Sequence, residues 1–363
     1  MRQTNVAALG YDPAAYLPPA PGRPLSVGGR LSDLDAWYAR RTYHAGQFEL
    51  DQLVAAKRRL RQTISLCLPT RNEQATIGKI VRVLREALVE GTPLVDELLV
   101  MDAGSADRTR EIAAAEGARV VTEAEVLPGE GPGAGKGEGL WKSLDACRGD
   151  LMCWVDADVV NIHPRFVTGL LGPLLTEPSI AYVKGFYERP LRQLGGGGEL
   201  SPTGGGRVTE LLARPLLNAL WPQLAGIVQP LSGEFAGRRE LFERVPFYSD
   251  YGVELGLLID ILNEVGIDAI AQVDLERRVH RNQELHALSR MSFAILQTAL
   301  VHLAEEGRLS EDPWSTLFVQ FDQTQGGSRP LSRELAVTRR PPIGKVEAYR
   351  RHRREVAGWQ GSG

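Results

Sequence analysis

Two carboxylates one residue apart, Asp156 and Asp158, follow the apolar segment LMCWV and are the strongest candidates for chemistry in this sequence. Hard divalent cations prefer oxygen ligands, and Mg²⁺ held by one or two carboxylates completes its shell with water and phosphate oxygens. The pattern therefore suits a metal that neutralises a nucleotide diphosphate. Two solvated carboxylates at the start of a loop are the alternative, because this short string is common by chance.

Two glycine-rich segments carry cationic side chains. Lys136 lies in GEGPGAGKGEGLW, just before a predicted helix. The segment is not a Walker A loop, since Gly137 stands where Ser or Thr would follow the lysine. A lysine there can still neutralise a diphosphate. In GGGRVTE, the Arg207 guanidinium and the Thr209 hydroxyl favour a second anion site. A flexible surface loop remains the alternative for both segments.

Three further residues have two readings each. His280 ends the strand-like segment AQVDLERRVH and can join Asp158 at a metal site, although a lone histidine is more often structural. Glu234 in SGEF and Glu254 in YGVEL either hydrogen-bond a sugar hydroxyl or favour a helix N-terminus.

The elements that must position these residues alternate in type between Thr63 and Asp158. Apolar segments (TISLCL, DELLVMD, ARVVTE, LMCWVDAD) alternate with helical ones, which is typical of a parallel sheet built from βαβ units. Ligands of such sheets bind beyond the carboxyl ends of the strands. Polar residues follow three strands, in TRNE, DAGS and DAD. Within DAGS, Ser105 either caps the next helix or lies beside a ligand at that helix N-terminus.

The chain divides into five segments by composition and pattern. We predict an N-terminal arm rich in Pro and Gly (1–30), lead-in helices (31–62) and an α/β half (63–160) that carries the candidate diphosphate and metal residues. The other half of the same domain (161–325) and a basic tail (326–363) follow, the tail being solvated or covering a partner.

Composition predicts a soluble globular protein and excludes several classes. The 363 residues are 43% hydrophobic, with 42 Lys plus Arg against 45 Asp plus Glu, so the net charge of −3 argues against a nucleic-acid binder. Three cysteines without CxxC spacing indicate reduced thiols. The start has no signal-peptide core and no run of 18 apolar residues occurs, so we expect a cytoplasmic protein that does not span a membrane.

Many separate motifs between about residues 37 and 305 resemble one family in order: LPTRNE, MDAGSADRT, PGAGKGEGLWKSL, VDADVVNIHPRFV, VKGFYERPL, GGGRVTELLARPLL, QPLSGEFAGRREL, YGVELGLLID and AQVDLERRVHRN. These are the actinobacterial-type glucosyl-3-phosphoglycerate and mannosyl-3-phosphoglycerate synthases. The resemblance implies a GT-A fold, a Rossmann-like and mainly parallel sheet flanked by helices. It also implies a retaining, metal-dependent glycosyltransferase that forms a homodimer through its C-terminal third. By the same resemblance, residues 63–160 would form the nucleotide-sugar-binding half of the domain, and residues 161–325 would form the acceptor-binding half that completes the metal site.

The resemblance also assigns roles to residues of this chain. The nucleotide sugar would be bound by Pro69, Thr70, Arg71, Glu73, Ser105, Lys136, Asp156, Ala157, Tyr251, Glu254 and Arg278. The acceptor, 3-phosphoglycerate, would be bound by Gly206, Arg207, Thr209 and Asn282. Mg²⁺ or Mn²⁺ would be held by Asp158 and His280. The catalytic set would be Asp156, Asp158, Glu254, Leu231 (through its backbone carbonyl) and Lys136. Family members commonly have small apolar residues where Thr70 and Arg71 stand, which bears on the choice of base.

The implied reaction moves a hexose from GDP-mannose or UDP-glucose to the 2-hydroxyl of 3-phosphoglycerate, for compatible-solute or polysaccharide-precursor synthesis. We expect a mannosyltransferase that also accepts glucose. No obvious carboxylate pair marks a double displacement, so we favour same-face attack in which the leaving phosphate takes the acceptor proton.

Three alternatives differ in chemistry. A GT-A transferase acting on a polyprenyl phosphate would usually carry apolar membrane helices. A sugar nucleotidyltransferase would need several basic residues near the first strand, where mainly Arg71 is present. A non-catalytic sugar-nucleotide-binding protein would have no reason to keep Asp156, Asp158 and His280.

Overall fold

An eight-stranded sheet, parallel except for one strand, forms the centre of the structure, which confirms the predicted α/β class. The computed structural model describes residues 27–133, 135–188, 191–192, 200–201, 206–279, 285–309, 314–324 and 327–360. The strands are β1 (Thr42–His44), β2 (Ile64–Thr70), β3 (Glu97–Asp102), β4 (Arg119–Thr122), β5 (Leu151–Trp154), β6 (Tyr182–Glu188), β7 (Leu191–Arg192), β8 (Leu200–Ser201), β9 (Phe235–Arg238), β10 (Phe247–Tyr248), β11 (Ile270–Arg277), β12 (Leu317–Thr324), β13 (Gly327–Glu334) and β14 (Arg339–Arg340).

The sheet order is β1-β11-β6-β9-β5-β2-β3-β4. The exception in direction is β9, which lies antiparallel between β5 and β6. Three short antiparallel pairs complete the described strands: β10 with β14, β12 with β13, and β7 with β8.

Helices cover both faces of the sheet. They are α1 (Val27–Arg41), α2 (Leu50–Leu60), α3 (Ile77–Arg85), α4 (Thr109–Ala115), α5 (Gly135–Ala146), α6 (Arg165–Thr176), α7 (Arg214–Leu220), α8 (Arg239–Phe242), α9 (Val253–Val265), α10 (Leu285–Glu305) and α11 (Glu347–Gln360). One core packs α2, α3 and α6 on the sheet, and the other packs α5, α9 and α10. Because both faces are covered, the strands are nearly continuous apolar runs rather than alternating ones.

Two short strands of the central sheet were not predicted. β1 interrupts the lead-in segment that we expected to be helical, and it pairs with β11 at the edge of the sheet. β9 lies within the segment SGEFAGRREL, for which we predicted no strand. Strands of three or four residues show too little alternation to be recognised, and long-range pairing decides their conformation.

The end of the chain packs on the domain. β14 pairs with β10, and Tyr349 of α11 is buried against Arg239 and Glu243. Part of the segment 326–363 is therefore integral to the fold, because its few apolar residues, such as Ile343 and Tyr349, reach the core.

Helix α10 is the one described helix that is long and apolar enough to cross a membrane, with a mean hydropathy of 1.2. A third of that stretch (33%) is buried in the domain. One such helix is weak evidence for a span, since core helices of soluble proteins have the same length and composition.

Candidate active site

A network of ion pairs lies at the carboxyl end of β5 and is centred on Asp156. One carboxylate oxygen of Asp156 is 2.6 Å from Lys136 Nζ, and the other is 3.0 Å from Arg278 Nη2. The same guanidinium nitrogen contacts the Asp158 carboxylate. The fold thus brings together two distant cations and the two acidic residues that the sequence marked.

Glu254 joins the network from the opposite side. It is buried in the first turn of α9, and its Oε1 is 3.0 Å from Lys136 Nζ. Tyr251, just before this helix, is 39% exposed. Lys136 therefore bridges two carboxylates delivered by different elements, β5 and α9.

Arg278 is held by residues whose part in the site we did not predict. Its Nη1 lies 3.0 Å from Glu234 Oε1 and donates to the Tyr187 hydroxyl at 2.6 Å. Tyr187 in turn donates to Glu234 Oε2 at 2.6 Å. Glu234 is fully buried, and its carboxylate serves as a counter-charge for Arg278. The SGEF motif alone carries no signal of this pairing.

The turn before β9 passes directly against Asp156. A Cβ added at Gly233 would overlap the Asp156 carboxylate, so only glycine permits this approach. Leu231, whose carbonyl we predicted to face the reacting carbon, is half-buried two residues earlier in the same turn.

The charged groups shift one another's pKa. Burial acts to lower the pKa of Lys136, but the carboxylates of Asp156 and Glu254 outweigh it and hold that pKa above its usual range. Burial likewise acts to raise the pKa of Asp156, yet Lys136 and Arg278 hold it well below its usual range. Both groups stay charged at neutral pH, so the site presents fixed charges to an anionic ligand.

A second set of polar groups lies at the paired ends of β2 and β3. Thr70 and Asp102 are register partners, and both are buried. Thr70 Oγ1 and Asp102 Oδ1 lack a hydrogen-bond partner among the described residues. Buried polar atoms are rarely left unpaired without a functional reason, so these two favour a ligand at this edge.

Side-chain bonds tie the predicted base-binding residues together. Asn72, in the left-handed conformation, donates its N–H to Ser105 Oγ at 2.9 Å. Thr76 links Glu73 to the metal motif, since its hydroxyl donates to the Ala157 carbonyl at 2.6 Å and lies 3.3 Å from Glu73 Oε2. Pro69 is half-buried and Arg71 is exposed at the end of β2. Ser105 therefore orders this loop, whereas α4 begins only at Thr109, and the capping interpretation of Ser105 was wrong.

The predicted acceptor residues are described only in part. Gly206 and Arg207 are half-buried and Thr209 is buried where the segment before α7 begins. His280 and Asn282 lie outside the described residues. Within the described ranges no group of three or more His, Cys, Asp or Glu side chains is placed to hold a metal. Of the predicted metal ligands, the structure thus positions Asp158.

Lys184 on β6 is a buried ammonium beneath the site. Its Nζ lies 5.0 Å from the Phe235 ring centroid and lacks a hydrogen-bond partner in the described part of the chain. Burial lowers the pKa of Lys184 to about 7, against the opposing effect of the Glu254 carboxylate. The folded protein is thus destabilised by holding this group charged below neutral pH.

We expect Lys184→Met to raise the free energy of unfolding by about 2–4 kcal/mol near pH 6. The unfolded chain binds the extra proton between pH 7 and the ordinary lysine pKa of 10.5, so wild-type stability rises with pH there and the difference shrinks. Urea unfolding across this range measures it. Exposed Lys79→Met is the control, and a gain for Lys184→Met that does not change with pH would contradict the assignment.

Comparison with known proteins agrees with this geometry. The family model described as glycosyl transferase family 2 matches residues 65–244. Glucosyl-3-phosphoglycerate synthase from Petrotoga mobilis is 45% identical over 86% of this chain and 95% of its own. The sheet, the acidic strand end and the family model define a family 2 glycosyltransferase.

Two similar solved structures indicate which group of glycosyltransferases the chain belongs to. Mannosyl-3-phosphoglycerate synthase from Rubrobacter xylanophilus superposes with a TM-score of 0.79 at 41% identity, over 86% of this chain and 98% of that one. Glucosyl-3-phosphoglycerate synthase from Mycobacterium tuberculosis, in complex with Mn²⁺, UDP-glucose and phosphoglyceric acid, gives 0.71 at 43% identity over 84% and 97%. The chain belongs to the family of glucosyl-3-phosphoglycerate and mannosyl-3-phosphoglycerate synthases.

Proposed function

We propose that this protein transfers a hexose from a nucleotide diphosphate sugar to the 2-hydroxyl of 3-phosphoglycerate. The observation that carries the proposal is the Lys136–Asp156–Arg278–Asp158 network at the carboxyl end of β5, with Glu254 beside Lys136. Lys136 is a fixed cation that suits the negative charge developing on a departing nucleoside diphosphate, and the carboxylates of Asp156 and Asp158 suit a divalent cation that would share that task. The Mycobacterium tuberculosis relative, solved with UDP-glucose and phosphoglyceric acid, supports this pair of substrates.

The residues divide into three groups by role. Lys136 offsets charge on the diphosphate, while Glu254 and Tyr251 orient the hexose and Leu231 directs its carbonyl at the anomeric carbon. The base and ribose lie along the β2 and β3 ends, where the open acceptors Thr70 Oγ1 and Asp102 Oδ1 are found. Arg207 and Thr209, with Gly206 and Asn282, hold the phosphate and carboxylate of the acceptor.

A divalent cation fits the donor set at the strand end. Asp158 offers hard carboxylate oxygens, and its side chain is 31% exposed. We propose that Asp158, with His280, holds Mg²⁺ or Mn²⁺, which the Mycobacterium tuberculosis relative also binds. When bound, the ion would neutralise diphosphate charge.

We further propose retention by attack on the same face. The acceptor oxygen bonds to the anomeric carbon as the bond to the diphosphate oxygen breaks, and the acceptor proton passes to the leaving phosphate. Glu254 Oε1 lies 3.0 Å from Lys136 Nζ. This ion pair suits a carboxylate that orients the lysine and the sugar rather than one that attacks the anomeric carbon. A covalent glycosyl-enzyme that is trapped on Glu254 in the wild type and is lost in Glu254→Gln would contradict this pathway.

For the donor, we propose a mannosyltransferase that also accepts glucose. Relatives named for each sugar support both donors. At the base edge, Arg71 offers N–H donors and Asp102 an open acceptor oxygen, and guanine and uracil each need both kinds of group.

The decisive experiment measures nucleoside diphosphate release with Mg²⁺ and 3-phosphoglycerate, comparing GDP-mannose with UDP-glucose. We expect turnover that requires the acceptor and falls by about a hundredfold or more in Asp158→Ala, because the metal's carboxylate is lost. The control is Asp274→Ala, which removes a half-buried carboxylate from β11. Measurable nucleotide binding without turnover from either donor would contradict the acceptor assignment.

We propose that the protein forms a homodimer through α10 and the β12–β13 hairpin. The support is a set of exposed apolar side chains on these elements, namely Leu285, Leu317, Val319 and Leu331, which are 39–69% exposed. Sedimentation of Val319→Glu against wild type tests it, and an unchanged dimer, or a monomeric wild type, would contradict this surface.

A further inference from the structure

The glycine-rich segment that carries Lys136 is held by a single arginine, Arg340 of β14; we call residues 129–133 and the first turn of α5 the Lys136 loop. Arg340 on β14 donates to the Glu130 carbonyl at 2.7 Å and to the Gly131 carbonyl at 2.9 Å. Its guanidinium also forms a two-pronged pair with the Glu138 carboxylate, at 2.7 and 2.9 Å. These contacts fall on both sides of Lys136 and tie the residues before α5 to its first turn.

These contacts are buried at Glu138, and their geometry selects arginine. Glu138 is 3% exposed, and its other ion-pair partner is Lys142 on the same helix, at 3.3 Å. The Arg340 guanidinium lies 5.1 Å from the Trp141 ring centroid, and Trp141 Nε1 donates to the Pro341 carbonyl at 2.9 Å. A planar fork with five donors can satisfy a carboxylate and two carbonyls together, which an ammonium cannot.

β14 and the residue before it also fix the position of α9, whose Glu254 pairs with Lys136. β14 pairs with β10, and Ser249 and Thr338 exchange hydrogen bonds of 2.9 and 3.0 Å just before α9. α9 carries Glu254. A Cβ at Gly137 would overlap the Tyr248 carbonyl of β10, so the Lys136 loop rests on the strand that β14 holds.

We infer that Arg340 is a positioning residue that presets Lys136 for the nucleotide diphosphate. The segment from Gly129 to Gly137 has glycine at every second position, so ordering it carries a high conformational entropy cost. Arg340 meets that cost in the folded protein instead of at ligand binding, and it acts on the diphosphate through Lys136. This inference rests on the proposed function, which assigns the diphosphate to Lys136.

The test compares binding of UDP and uridine by calorimetry in Arg340→Gln, Arg340→Lys and wild type. We expect Arg340→Gln to weaken UDP binding about tenfold and leave uridine binding unchanged, because positioning acts through the phosphates. Arg340→Lys keeps the charge and one bond, so its loss should be intermediate. Exposed Arg350→Gln of the same terminal segment is the control.

A double-variant cycle separates positioning from a structural role. With Lys136→Met already present, adding Arg340→Gln should cost little further UDP affinity if Arg340 acts through Lys136. An equal loss in both backgrounds, or a parallel loss of uridine binding, would overturn the inference. If the wild type binds UDP no more tightly than uridine, the proposed diphosphate site is wrong. If the wild type prefers UDP and Arg340→Gln prefers it equally, only the positioning role of Arg340 is wrong.

Discussion

Lys136→Met is expected to lower kcat for hexosyl transfer by about a hundred- to a thousandfold, as removal of one preorganised charge from an active site typically does. The ammonium that we propose to meet the developing diphosphate charge would be lost, and Asp156 and Glu254 would face each other without the cation between them. The KM for 3-phosphoglycerate should stay near its wild-type value, since the acceptor is assigned to the loop around Arg207. Steady-state kinetics with each substrate varied in turn measures the split.

The matched control for this lysine is Lys79→Met. Lys79 is exposed on α3, where its ammonium donates to the Val160 carbonyl at 2.8 Å close to the same edge of the sheet. Its removal should leave kcat unchanged. A loss for Lys136→Met that appears only in the acceptor KM would contradict the place given to the diphosphate.

Arg278→Gln is expected to lower the free energy of unfolding by about 3–5 kcal/mol, the usual result of removing one partner from a buried ion pair. Arg278 is 4% exposed and contacts the carboxylates of Asp156, Asp158 and Glu234. Without the guanidinium, these three carboxylates lie close together in a poorly solvated region. Among the described cations, Lys136 still pairs with one of them, Asp156. Urea unfolding at pH 7 measures the loss, and activity should fall with it.

Arg165→Gln tests whether burial is the cause. Arg165 pairs with Glu276 at 3.0 Å, but both side chains are about half exposed (55% and 46%). Solvent-exposed pairs contribute about 0–1 kcal/mol, so this variant should remain within about 1 kcal/mol of wild type. Similar losses of unfolding free energy in the two variants would show that burial of the Arg278 ion pairs is not the cause.

The α/β sheet was predictable because its strands are long apolar runs separated by helices. Six of the eight sheet strands follow such runs, and the polar residues after β2, β3 and β5 meet at one edge as expected. β1 and β9 escaped prediction because their three and four residues carry almost no pattern of their own. Their conformations come from partners distant in the chain.

The candidate site divides in the same way. Asp156, Asp158, Lys136 and Glu254 could be singled out one by one, since carboxylates after a strand and a lysine among glycines are local signals. That Lys136 bridges Asp156 and Glu254, and that Arg278 binds both aspartates, depends on segments more than 100 residues apart meeting at the sheet edge.

The contacts by which some residues support others left no trace in the sequence pattern, even where the residue itself, Glu234, was a candidate. Tyr187 and Glu234 hold Arg278, and Arg340 holds the Lys136 loop from a segment that reads as a basic tail. In the sequence, a charged residue that is paired in the folded structure cannot be distinguished from one that is solvated. Composition therefore favours the interpretation that the residue is solvated. The identity of most strands and the polar residues at their ends can be recognised in the local sequence, whereas strand order and the pairing of buried charges are set by long-range packing.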